Sequence, residues 1–189
     1  MKKKVRKQAA KNHRKIIEIE IAVVVAVIVF TLVAIFLYAV PTINNGLRKD
    51  RIISIFNSLN LDSKNYSLTS ESIFGDKRIY TWDSSRSYSS EKTYIRGLNV
   101  DATVAELKQA IAKTDFKFYQ EPYPGSAQFM YIYKSPKNEY LRISVSSKAR
   151  DDEFFNRSNM GLPINDITTS PNDGPSNVSV KVNLDDNNE

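Results

Sequence analysis

Polarity changes abruptly along this chain. The twenty residues from Ile21 to Val40, IAVVVAVIVFTLVAIFLYAV, carry no charge, Gly or Pro. At about 1.5 Å per helical residue they reach roughly 30 Å, the hydrocarbon thickness of a bilayer. A core helix of a soluble protein needs polar positions at helical spacing, and only Thr31 is plainly polar here, so the pattern predicts a transmembrane helix. Pro41 and Gly46 follow the apolar run. Beyond them Leu47, Ile52, Phe56 and Leu59, with Ile53 and Ile55, recur at helical spacing and predict a helix over Leu47–Leu59.

Short strand-like runs come next at Tyr66–Leu68, Lys77–Trp82 and Lys92–Asn99, separated by loops rich in Ser and Asp. Thr103 and Glu106 have the spacing of a capping box, and Val104, Leu107 and Ile111 line one face of the helix it would start. Phe116–Tyr119 reads as a strand, and the EPYPG segment at 121–125 as a turn. Gln128–Tyr133 and Glu139–Ser146 alternate cleanly around SPKN and predict a hairpin. Helix and three strands, then helix and three strands, predict an α+β domain of two helices on an antiparallel sheet; a tandem αβββ arrangement stays open because no sequence repeat supports it. The order over 97–146 resembles the small αβββ modules of envelope proteins such as the β-lactamase-inhibitor-like group, on no specific motif and with no functional residue implied. From Ser158 the composition shifts to Asn, Asp, Ser, Pro and Gly, which predicts a disordered tail adding at most an edge strand through Val178, Val180 and Val182. The expected organisation is a basic tail at 1–15, an anchor at 16–41 in contact with lipid, an α+β domain at 42–157 and the tail at 158–189.

Charge sharpens this division. The formal net charge of +6 comes from 27 basic and 21 acidic residues. Eight of the basic ones, Lys2, Lys3, Lys4, Arg6, Lys7, Lys11, Arg14 and Lys15, precede the apolar run, and Glu18 and Glu20 adjoin it. That leaves 19 basic and 19 acidic residues from 42 onward. The domain is neutral, so the electrostatic footprint of nucleic-acid binding is missing there. The asymmetry across the span predicts a cytoplasmic N-terminus, with the domain on the other side. A cleaved signal peptide would have a shorter apolar run and small residues at its end, where this sequence has Leu37 and Ala39. Arg14 and Glu18 can pair across one helical turn. An acid beside an apolar helix also allows a pilin-like or secretion-apparatus component, although Lys15-Ile16 stands where the pilin processing pattern would lie.

Candidate chemistry is sparse. With no Cys and one His, the sequence excludes a disulfide framework, a Cys nucleophile and paired-His or thiolate metal sites, and no cofactor motif is present. Asp151-Asp152-Glu153 reads as a solvated charge run. The aromatics carry more information. If Met130 and Ile132 face the core with Leu141, Ile143 and Val145, the other face of the hairpin presents Phe129, Tyr131, Tyr133, Tyr140 and Arg142, residue types enriched at protein interfaces. Tyr123 in the EPYPG loop is a further contact candidate. The expectation is a single-pass, non-enzymatic membrane protein whose domain binds a protein partner or a second copy. A glycan ligand, or an anchored hydrolase or cell-wall-binding module, is the alternative.

Overall fold

Val178, Val180 and Val182 organise the molecule. In the computed structural model, which describes residues 2–61, 65–74, 88–122 and 128–184, all three are fully buried. The strand that carries them, Ser176–Asn183, lies inside a six-stranded antiparallel sheet. The expected disordered tail at 158–189 is therefore corrected. Three valines at period two give this segment one wholly apolar face, and strands pair with it on both sides.

The chain divides into a unit up to Asn45 and a unit from Gly46 onward. The first is helical. Helix α1 (Lys2–Ala34) is followed by a π-helical stretch, Ile35–Ala39, and by α2 (Val40–Leu59). Pro41 has no N–H to give the helical ladder, and the backbone widens from α to π just before it. Residues His13–Leu37 form a helix long and apolar enough to cross a membrane, and none of its most apolar stretch is buried by the rest of the protein. Its one hydroxyl is satisfied internally, because Thr31 Oγ1 donates to the Val27 carbonyl at 2.8 Å. The helix expected over Leu47–Leu59 begins earlier, since α2 starts at Val40 and runs through Pro41 and Gly46.

The second unit is α+β. After α2 come β1 (Tyr66–Phe74), β2 (Ser89–Arg96), α3 (Val100–Ile111), β3 (Lys117–Gln120), β4 (Phe129–Lys134), β5 (Tyr140–Ser147), α4 (Lys148–Asn159), a 3-10 turn (Ile164–Asp166) and β6 (Ser176–Asn183). The sheet order is β1-β2-β6-β5-β4-β3. Two blocks, β1-β2 and β5-β4-β3, are thus joined only through the last strand. A tandem αβββ arrangement is not what forms among the described residues; the expected strand at Lys77–Trp82 lies outside them.

One apolar cluster lies between the two helices and one face of the sheet. Ile52, Ile55, Phe56 and Leu59 of α2 and Val100, Val104, Leu107 and Ile111 of α3 meet Tyr94, Leu141, Ile143, Val145 and the β6 valines. Leu47 and Ile53, expected in the apolar stripe, are exposed instead. Helix α3 starts one turn earlier than the capping-box reading. Asn99 is the cap, its side chain accepting from the Ala102 amide at 2.9 Å. Thr103 is buried inside the helix, where its hydroxyl donates to Ser176 Oγ at 3.2 Å, and Glu106 binds Arg96 at 3.1 Å. A second polar tie fixes α2 to the β4–β5 turn. Arg51 donates to both oxygens of Glu139, at 2.6 and 2.7 Å, and Ser135 Oγ donates to the same carboxylate at 2.9 Å. Burial alone would raise the Glu139 carboxyl, but these bonds and the charges of Arg51 and Lys137 hold it below its usual range.

Helix α4 is attached differently. None of its residues is buried. Asp151 accepts from Ser146 Oγ at 2.5 Å and Asn177 Nδ2 at 2.7 Å. Glu153 accepts from the amides of Thr168 and Thr169 at 3.2 and 3.0 Å and from the Thr169 hydroxyl. The acidic run expected to be merely solvated pins the helix to the sheet and to the following loop.

Candidate functional site

The hairpin register decides which aromatics can act. Ser135–Glu139 makes a five-residue loop closed by Ser135 N donating to the Glu139 carbonyl at 2.9 Å, with Asn138 in the left-handed region at φ 62°. Lys134 then pairs with Tyr140, Tyr133 with Leu141, Tyr131 with Ile143 and Phe129 with Val145. Directly paired residues share a face, so Phe129, Tyr131 and Tyr133 lie on the core side with the aliphatic residues of β5. Met130 and Ile132 lie on the other face with Arg142 and Tyr140. This corrects the expected aromatic face by one residue of register. Tyr131 and Tyr133 are each only 7% exposed. Arg142 is exposed on the opposite face, where Lys181 is its partner in β6. Tyr140 is buried on that face against Tyr119, ring centroids 6.0 Å apart, with the Lys134 ammonium over both rings. Tyr123 lies outside the described residues.

The two tyrosines nevertheless reach a surface. At the edge of the sheet a groove of about 480 Å³ opens between α3 and β3–β4, a size in the range of ligand pockets. Lys108, Ile111 and Ala112 of α3 form one wall; Phe116, Lys117, Phe118 and Glu121 form the other, and Tyr131 and Tyr133 line it from β4. Its aromatic surface is ordered by ring contacts. Phe118 meets Tyr133 edge-on at 5.9 Å, and Phe129 stacks on Tyr131 at 6.4 Å. The Lys108 ammonium stands 4.4 Å over the Tyr131 ring, held by its negative face. Burial, with Tyr131 beside it, pushes the Tyr133 hydroxyl above its ordinary value, so the phenol stays neutral at physiological pH.

What makes the groove a binding candidate is its rim. Phe118 is 59% exposed although it is a large aromatic side chain. It sits on β3, a four-residue edge strand exposed along its whole length, with a register shift between Phe118 and Gln120. The Lys108 ammonium lies in the groove over Tyr131, and Lys117 and Glu121 also contribute to the lining. This lining offers aromatic area and ammonium donors. Phe118, Lys108 and Lys117 are not among the sequence-based candidates, and the available signal is Lys117 between two aromatics, Phe116 and Phe118, in a short predicted strand.

Elsewhere the described residues hold little that competes. A smaller hollow of about 190 Å³ between α2 and β2 is lined by Phe56, Asn57, Asn60, Leu61, Lys92 and Tyr94, with the Lys92 ammonium 4.9 Å over the Phe56 ring. No group of three or more His, Cys, Asp or Glu could hold a metal ion among the described residues. Comparison with known proteins found no matching family model, no similar curated protein and no similar solved structure.

Proposed function

We propose that this chain is a single-pass membrane protein that acts by binding rather than catalysis. Residues 1–15 lie in the cytoplasm, the helix around Ile21–Val40 crosses the bilayer, and the α+β domain on the far side receives a protein partner in the α3–β3–β4 groove. Support for the anchor comes from the long apolar helix preceded by eight basic residues. The observation that carries the binding reading is Phe118, exposed at a groove lined by Tyr131 and Tyr133, with Lys108 and Lys117 also in its lining. Aromatic anchors beside a desolvated pocket are where interfaces concentrate their energy. Proteins favour this kind of rim over nucleic acids here, because the domain is neutral as a whole.

A photo-crosslinking amino acid placed at Phe118 in the full chain tests this in intact cells. A discrete protein adduct is expected there, and Lys108→Glu with Lys117→Glu should weaken it about tenfold or more if the rim contributes as interface charges do. A chain that inserts and folds but yields no adduct at 118 counts against the groove as the binding site.

A further inference from the structure

The face of the sheet turned away from α2 and α3 carries charge that the groove does not use. There Arg142 of β5 lies directly opposite Lys181 of β6. Like charges so placed across a strand pair are unfavourable. Arg142 is exposed, and its guanidinium makes no hydrogen bond or ion pair among the described residues. On the other side of Lys181 stands Glu91 of β2, whose carboxylate turns along the sheet and accepts from Ser179 Oγ at 2.7 Å. The Lys181 ammonium turns the opposite way, onto the Phe74 ring at 5.5 Å. A third cation, Lys134 of β4, is paired with Tyr140 and stands over the Tyr119 and Tyr140 rings. It is the diagonal neighbour of Arg142, at a spacing of about 7–8 Å. Three adjacent strands thus place three cations together in a domain whose charges otherwise balance.

The chemistry beside these cations narrows what they can hold. The next pair along β5 and β6 is Ser144 and Ser179, with Thr93 of β2 beside it on the same face. A carboxylate would fill the planar fork of Arg142 and leave Lys181 without a share, whereas a phosphate has further oxygens for the ammonium. The hydroxyls suit a ligand that carries hydroxyls of its own. A lipid surface fits less well, because Ser144, Ser179, Ser146 and Asn177 stand where apolar side chains would have to enter the bilayer. Nucleic acid calls for a broader basic field than three charges.

We propose that Arg142 and Lys181 form a binding site for the phosphate group of a phosphorylated carbohydrate. Arg142 donates two hydrogen bonds to phosphate oxygens, Lys181 supplies the second charge, and Ser144 meets the sugar. The site goes beyond the groove and lies on the opposite face from α3, so a partner in the groove and a ligand here can be held at once.

Saturation-transfer NMR on the full-length protein in phosphatidylcholine nanodiscs tests this, with glucose 6-phosphate as the probe. Transfer to its sugar protons is expected, about tenfold weaker transfer to glucose, and displacement by inorganic phosphate. Arg142→Gln and Lys181→Gln should each lower the signal about tenfold, and Lys113→Gln, an exposed lysine after α3, should leave it unchanged. Arg142→Gln also removes one of two facing like charges, so its Tm should equal or exceed that of the parent. A lower Tm would make Arg142 a structural residue and overturn the proposal. Unchanged transfer in both variants, equal transfer to glucose, or no transfer to glucose 6-phosphate from the parent protein would overturn it as well. Displacement by short-chain phosphatidylglycerol or by an oligonucleotide at far lower concentration than by inorganic phosphate would make a lipid or a nucleic acid the occupant and overturn the carbohydrate.

Discussion

Glu153 shows how one side chain can carry a segment. Hydrogen bonds from the Thr169 hydroxyl and from the amides of Thr169 and Thr168 lower its carboxyl to about 2. A carboxylate depressed on folding contributes stability above its unfolded value of about 4.3 and loses it as pH falls through the folded value. Glu153→Gln should therefore be less stable than the parent at pH 7, and the difference should close as pH is lowered from about 4.3 toward 2, measured by denaturant unfolding at a series of pH values. A gap that stays constant over that range would show that the charge is not what matters. Gly174 poses a steric demand instead. A Cβ there would stand 2.9 Å from the carbonyl carbon and oxygen of Leu98, both backbone atoms. Gly174→Ala is expected to cost about 1–3 kcal/mol, as overpacking does, read from thermal unfolding of the whole chain. At this scale the sequence was least legible. Tyr131 and Tyr133 lie on the face opposite to the one expected, because period two identifies two faces without saying which one the facing strand shares. The five-residue loop at Ser135–Glu139 settles that, and its length is a property of backbone hydrogen bonding that composition does not reveal.

Among the elements, those with a strong period were the readable ones. The β4–β5 hairpin, α3 and the long apolar helix all have apolar residues at the spacing their geometry needs; the hairpin forms close to its expected bounds, α3 begins a turn earlier, and helical structure continues past both ends of the apolar run. Two kinds of element escaped. Helix α4 buries nothing, so it has no apolar period to detect. Strand β6 has its period, in Val178, Val180 and Val182, but sits among Asn, Ser and Asp that composition assigns to disorder. Its neighbours supply the missing information, since β2 and β5 pair with it along its whole length. Removing residues 158–189 should consequently abolish the cooperative unfolding of the domain rather than trim a loose end, because two sheet blocks would lose their shared strand. Near-ultraviolet circular dichroism and limited proteolysis of the shortened full-span protein check this. Native-like signals in both would show that the two blocks pair without β6.

For the whole molecule, the partition of charge is the most informative property. All of the net +6 resides before residue 42, and the remainder balances at 19 basic and 19 acidic residues. This separation is the basis for the proposed orientation, and a cysteine-free chain allows a clean check. A single cysteine introduced at Lys113, an exposed position just after α3, should react with a membrane-impermeant maleimide on intact cells, whereas one introduced at Lys7 should react only after lysis. The reverse pattern would invert the topology. The central place of β6 also governs how the molecule comes into being. Ribosomes deliver this strand after every other element of the sheet, so β2 and β5 must wait side by side with open hydrogen-bonding edges until it arrives. Such long-range closure is slow, and edges left waiting invite pairing with the wrong chain. Production of this domain is thus most vulnerable in the interval between the emergence of β5 and the insertion of β6, when a holding chaperone would have the most to protect.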